Sequence, residues 1–165
     1  MRSALYTYQP SESTIDFDGH IALLFFTKGC NFRCRYCHNP ELIPVGDNNM
    51  TYDELGAVLE KASDNWIDGI CITGGEPTMQ KSIVETARFI KTFNMDLKID
   101  TQGSFPGTLE KLLPYCDYIA MDYKMPMERY PSLAGVKVNP KHIRESLDLL
   151  KNGNTDYEIR TTVIT

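Results

Sequence analysis

Apolar positions in this chain fall into two rhythms. Short continuous runs lie at 20–27, 69–73, 96–101, 117–122 and 156–165, and each reads as a strand. Most are unbroken rather than alternating, as strands buried on both faces of a parallel sheet should be. Between them the period lengthens to that of a helix. Thr51-Tyr52-Asp53-Glu54 has capping-box form and opens a helix through 63. Ile83, Ala87, Ile90 and Phe93 share one face over 81–93. A short helix over 108–113 is stopped by Pro114, and Asn139-Pro140 starts another, with Ile143, Leu147 and Leu150 in a stripe and Gly153 past its end. The segment 125–139, with Gly135 in it, reads as a long loop with helix near 127–130. Strand–helix alternation predicts an α/β fold with parallel, right-handed βα units.

More than forty residues separate the first two strands, and a functional loop is the natural reading of that insert. Each strand ends in a polar or glycine-rich group: Lys28-Gly29-Cys30, Thr73-Gly74-Gly75-Glu76-Pro77, Asp100-Thr101-Gln102-Gly103, Asp122-Tyr123-Lys124 and Arg160-Thr161-Thr162. Ligands gather at the carboxyl ends of parallel strands, so these groups should converge on one rim.

Composition narrows the function classes. The chain has 165 residues, 42% hydrophobic and 24% charged, which fits a single globular domain over 1–165. A net charge of −5 without a basic run argues against nucleic acid as a partner. The longest apolar run, 21–26, is far too short to span a membrane, and the N-terminus lacks the apolar core of a secretory signal. A cytoplasmic protein is expected. Five cysteines, three of them bunched, fit a metal site in a reducing compartment better than a disulfide framework. Cys71 and Cys116, alone among apolar neighbours, read as small buried hydrophobes.

The bunched cysteines are Cys30, Cys34 and Cys37. A cubane cluster with full thiolate ligation needs four, so a triplet leaves one iron open, and an open position separates reactive from structural metal sites. His38 follows Cys37 directly and keeps a Cys3His zinc site as an alternative. The paired glycines of Gly74-Gly75-Glu76-Pro77 let backbone approach a ligand closely, although alone they also fit a tight turn.

Together these residues resemble the radical S-adenosylmethionine (radical SAM) superfamily. Cys30, Cys34 and Cys37, with Tyr36 as the aromatic, match its C-x3-C-x-aromatic-C signature, and Gly74-Gly75-Glu76-Pro77 matches its second motif. The resemblance covers roughly 14–165 and implies a partial (β/α) barrel of about five to six parallel strands with outer helices. Within the superfamily, residues 29–40, Met121-Asp122-Tyr123-Lys124 and Ile159-Arg160-Thr161-Thr162-Val163 are most similar to activating enzymes of glycyl-radical proteins. The nearest group is the activating protein of the anaerobic ribonucleotide reductase; the pyruvate formate-lyase activating enzyme is more distant.

The resemblance implies that Cys30, Cys34 and Cys37 hold a 4Fe-4S cluster whose open iron takes the amino and carboxylate groups of S-adenosylmethionine. Reductive cleavage would give a 5′-deoxyadenosyl radical that takes hydrogen from one glycine of a glycyl-radical enzyme, with flavodoxin or ferredoxin as electron donor. Thr73, Gly74, Gly75 and Glu76 are implied on the cofactor, Glu76 as acceptor for its ammonium group. Asp100, Thr101 and Asp122 are implied as polar contacts that also hold a monovalent cation, with Lys124 on the cofactor carboxylate. Arg160 either faces the pocket or pairs with a carboxylate. Lys28, Arg33 and His38 are candidates for tuning the cluster. The absence of a second cysteine group favours single-cluster activases. Two readings compete: radical chemistry on a small molecule or on a pyruvate formate-lyase-like enzyme, and a non-catalytic iron–sulfur or zinc module. Residues 16–19 carry no assigned role.

Overall fold

The computed structural model describes residues 1–6, 10–46 and 50–162, and the end of the predicted last strand, 163–165, lies outside them. Six strands form one sheet in sequential order: β1 (Ser11–Ser13), β2 (Ala22–Thr27), β3 (Gly69–Gly74), β4 (Asp96–Thr101), β5 (Tyr118–Asp122) and β6 (Asp156–Arg160). β2 through β6 pair in parallel, as predicted, whereas β1 lies antiparallel on the edge of β2. Pattern reading misses β1 because Ser11-Glu12-Ser13 contains no apolar residue; backbone pairing alone holds it there.

Five helices connect the strands: α1 (Tyr52–Ser63), α2 (Ile83–Lys91), α3 (Pro106–Leu112), α4 (Tyr130–Ala134) and α5 (Pro140–Asn152). The capping box at Thr51 forms in full, with the Glu54 carboxylate accepting from the Thr51 N–H at 2.8 Å and the Glu54 N–H donating to Thr51 Oγ1 at 3.2 Å. Asn139 caps α5 by accepting from the Lys141 N–H at 3.2 Å. Residues 125–139 are more ordered than a loop: a 3-10 turn at Met127–Arg129 leads into α4, and Gly135 ends it at φ 64°.

Strands that follow one another in order and carry right-handed crossovers send their helices to one face. Leu23, Phe25, Ile70, Ile72, Leu97, Ile99, Ile119 and Met121 point to that side and pack against Leu55, Leu59, Ile83, Ile90, Leu109 and Ile143. Alternate positions point the other way. In β4 and β6 they carry Lys98, Asp100, Glu158 and Arg160; β4 thus alternates in polarity while staying buried over 97–99, and β6, expected to be buried, is half-buried or exposed throughout. The opposite face is therefore charged and neutralised from within: Lys98 lies 3.4 Å from Glu158 and 4.0 Å from Asp100. Below it, the Lys98 ammonium donates to the Asp16 carbonyl at 2.5 Å, and Phe17 is buried against His20 with rings 4.1 Å apart. Asp16 and Phe17 thus floor the charged face. Cys71 and Cys116 are buried, as read from sequence.

Candidate functional site

The carboxyl ends of β2 to β6 carry every residue assigned to a site from sequence, and they surround two cavities. The first, of about 470 Å³, is lined by Cys30, Cys34, Cys37, Tyr36 and His38. The second, of about 360 Å³, is lined by Thr73, Glu76, Asp100, Thr101 and Arg160. Gly74, Gly75, Gln102, Asp122, Lys124 and Thr162 line both, so the cavities meet along that seam.

The cysteine loop is shaped by backbone hydrogen bonds to three separate segments. The N–H groups of Gly29 and Cys30 donate to Leu42 and Ile43 at 2.8 and 3.0 Å, Arg33 N–H donates to Ala134 at 2.6 Å, and Gly29 accepts from the Glu76 N–H at 2.9 Å. Gly29 sits at φ 103°, a region open to glycine. Gly75 has a different requirement: a Cβ there would lie 2.2 Å from the Gly29 oxygen. At Gly74 both apply, with φ 116° and a Cβ 2.5 Å from the Thr27 backbone. The paired glycines are what let the second loop lie directly on the cysteine loop.

The three thiols are free and half-buried. Burial pushes the Cys30 thiol up to about 11 and raises Cys34 as well. The Phe32 N–H donates to Cys30 Sγ at 3.4 Å, the kind of contact that tunes a metal-bound sulfur. Among the described residues, no three His, Cys, Asp or Glu side chains are grouped to share a single metal ion, as a Cys3His zinc site would require. The three thiols line one cavity with open space beside them. Of the three candidates for tuning, only His38 lines the thiol cavity. Arg33 instead braces its own loop, donating to the carbonyls of Cys30 and Phe32 at 2.7 and 2.8 Å. Lys28 stands 4.9 Å over the Tyr6 ring, beside a different depression.

Glu76 is 1% exposed, and its carboxylate is held by the loops themselves. Oε1 accepts from the Thr78 N–H at 3.0 Å, from the Thr78 hydroxyl, and from the Thr101 hydroxyl at 2.6 Å; Oε2 accepts from the Gln102 N–H at 2.9 Å. Burial raises its pKa, and these four donors oppose the rise. Glu76 therefore joins β3 to β4 as a tie, while it also lines the polar cavity.

Asp100 and Asp122 face the polar cavity, and Arg160 both lines that cavity and pairs with the two carboxylates. Its Nη2 lies 2.9 Å from Asp100, and its Nε lies 3.9 Å from Asp122. Burial raises the Asp100 pKa while the Arg160 charge pulls it back. Lys124 stands 3.1 Å from Asp122, donates to Thr162 at 3.1 Å, and hangs 5.9 Å over the Tyr36 ring. Burial pushes the Tyr36 phenol up to about 12 and leaves its oxygen without a hydrogen-bond partner.

Sequence reasoning placed Gln102 and Thr162 on the rim without giving either a role, and it missed Tyr130. Tyr130, fully buried, walls the thiol cavity and accepts from the Lys124 N–H at 3.1 Å. An aromatic in a stretch read as loop gave no signal for that role.

Comparison with known proteins places this arrangement. A Methanocaldococcus jannaschii protein named as a glycyl-radical enzyme activating enzyme is 33% identical over 159 residues, covering 92% of this chain and 65% of its own. A Clostridium pasteurianum pyruvate formate-lyase-activating enzyme is 30% identical, covering 69% of this chain and 50% of its own. A Pyrococcus abyssi protein named as a GTP 3′,8-cyclase is 38% identical, but over 53% of this chain and 28% of its own. The chain thus spans from about a quarter to just under two thirds of the length of these relatives. In fold it is similar to Streptococcus suis SuiB bound to S-adenosylmethionine, with a TM-score of 0.64 at 21% identity over 85% of this chain and 35% of that one. Archaeal TYW1 gives 0.60 at 16% identity over 87% of this chain and 55% of that one. A family model described as the radical SAM superfamily matches residues 24–165, and with its half-barrel of parallel strands and its thiol-lined rim the chain belongs to that superfamily.

Proposed function

We propose that this chain is a glycyl-radical activase that acts on an anaerobic ribonucleotide reductase, with flavodoxin or ferredoxin as its electron source. The observation that carries the reading is the continuity of a three-thiol cavity with a polar cavity at the strand ends. Cys30, Cys34 and Cys37 would hold a 4Fe-4S cluster, and the adjoining cavity S-adenosylmethionine. When bound, the cluster supplies the electron that divides the sulfonium nucleotide into methionine and a 5′-deoxyadenosyl radical.

The chain's own residues do the rest. Gly74 and Gly75 bring backbone to the seam between the cavities, where a side chain would collide with the end of β2 at Gly74 and with the cysteine loop at Gly75. Lys124, at that same seam, offers an ammonium to a carboxylate. Arg160 holds Asp100 and Asp122 in one place without help from an added cation. Tyr36, Phe32, Tyr130 and Leu133 give the thiol cavity apolar walls that exclude water.

Activase relatives support the target class, because the Methanocaldococcus protein aligns across nearly the whole chain while the cyclase aligns over about half. The test is anaerobic. Reconstituted protein, S-adenosylmethionine, a reductant and the reductase should yield a glycyl-radical EPR doublet with matching 5′-deoxyadenosine. Nucleotide cleavage without the doublet would favour a small-molecule substrate or another glycyl-radical enzyme. Bound metal with no cleavage would leave only a non-catalytic module.

A further inference from the structure

The outside of the cysteine loop is basic in a chain that is acidic overall. Residues 28–40 carry Lys28, Arg33 and Arg35 and no carboxylate, although the net charge of the chain is −5. The segment packed on this loop adds charge of the same sign. The Arg33 N–H donates to the Ala134 carbonyl, and a Cβ at Gly135 would lie 2.7 Å from the Arg33 oxygen, so 134–135 lie directly against the loop. Arg129 stands just before α4, and Lys137 two residues past Gly135. Arg33, Arg35, Arg129 and Lys137 are all exposed, and none has a carboxylate within ion-pair reach among the described residues. Glu128 is the one acid over 125–138, and Glu41 the first beyond the loop. His38, exposed on the same loop, also lines the thiol cavity, so this outer surface lies one side chain from the thiols.

We propose that this surface docks an acidic one-electron carrier protein, and that Arg35 and Lys137 steer its approach to the thiols. The proposal rests on the function proposed above, in which a reduced carrier gives one electron to the centre held by Cys30, Cys34 and Cys37 and is itself oxidised by one. Electron tunnelling falls steeply with distance, so the redox centre of the carrier has to come to rest against the loop that bears those thiols. The glycine of the reductase has a different destination, the polar cavity, to whose lining none of the four exposed cations contributes. Opposite charge on two approaching faces raises the rate of encounter about 10- to 1,000-fold at low salt. A small, charge-guided interface also suits a carrier that must leave after each electron.

The test reads electron arrival and binding, not turnover. Anaerobically reconstituted wild type, Arg35→Glu, Lys137→Glu and the combined variant are mixed with reduced flavodoxin, and bleaching of the cluster absorbance is followed at low and high ionic strength. Photoreduced 5-deazariboflavin, small and uncharged, supplies a parallel arm, and affinity for oxidised flavodoxin is titrated in the same buffers. Arg33 is left intact because it braces the loop. The combined variant should be reduced by flavodoxin about tenfold or more slowly at low salt and bind it more weakly, with the gap closing as salt screens the charges. Its reduction by 5-deazariboflavin should match wild type. Lys111→Glu with Lys151→Glu makes the same change of charge at exposed positions of α3 and α5, and should slow flavodoxin far less. Equal slowing by both pairs, slowing with both reductants, or no slowing at low salt would overturn the proposal. So would wild type that 5-deazariboflavin reduces and flavodoxin does not. Loss of the glycyl-radical doublet in variants already reduced by 5-deazariboflavin would also overturn it, because the surface would then belong to the reductase. Wild type that loads no reducible cluster would instead refute the proposed function.

Discussion

Gly75→Ala is the sharpest perturbation available, because the new methyl group meets backbone and not a side chain that can turn aside. Its Cβ would lie 2.2 Å from the Gly29 oxygen, 2.7 Å from the Gly29 carbonyl carbon and 3.0 Å from the Leu42 oxygen. Carbon–oxygen contacts settle near about 3.3 Å, so the two loops must part by roughly 1 Å. The same Gly29 oxygen accepts the Glu76 N–H at 2.9 Å, and that bond stretches out of range as the loops separate. Overpacking costs about 1–3 kcal/mol, and the lost hydrogen bond adds about 1 kcal/mol. The total is about 2–4 kcal/mol. For a chain of this size the melting temperature should fall roughly 5 to 15 °C. Circular dichroism of cluster-free protein measures this directly, and iron content after anaerobic reconstitution reports whether the thiols still converge. A variant that melts within about 2 °C of wild type and loads a full complement of iron would refute the claim that the second loop lies directly on the first.

Further outcomes follow from the same geometry. Glu76→Gln retains Oε1 for the threonines but turns an amide N–H toward the Gln102 N–H, so one buried donor loses its acceptor. It should cost about 1–3 kcal/mol in chemical denaturation, and an unchanged midpoint would count against the tie between β3 and β4. Because the Arg160 guanidinium spans Asp100 and Asp122, nucleotide affinity should be the same in potassium and in a bulky organic cation, whereas Arg160→Ala should make it depend on potassium. A wild-type requirement for potassium would refute that assignment. Cys30 is a neutral thiol until the pH nears about 11, so its alkylation in cluster-free protein should rise about tenfold per pH unit through pH 10. A plateau near the ordinary thiol value would show that burial does not govern it.

Much of the site was legible because parallel topology turns strand ends into neighbours. Cys30, Gly74, Asp100, Asp122 and Arg160 are far apart in sequence, yet knowing the strands and their direction is enough to gather them. Thr51 and Glu54 were equally plain, since a capping box is a local device. What escaped depends on burial and on partners distant along the chain. Gln102 donates to Asn31, 71 residues away, and no local pattern records that pairing. The hold of Thr78, Thr101 and Gln102 on Glu76 likewise left no trace in its motif. Arg33 shows the converse, a charge beside the cysteines that turns inward to its own loop.

The cysteine loop takes its shape from backbone bonds to Leu42, Ile43, Ala134 and Glu76, with Phe32 buried at its base, and those four anchors use no sulfur. The loop's shape thus rests on backbone hydrogen bonds to its neighbours, unlike a zinc finger, which collapses only around its ion. An oxidised or dismantled centre could be rebuilt on the same folded molecule without a round of refolding.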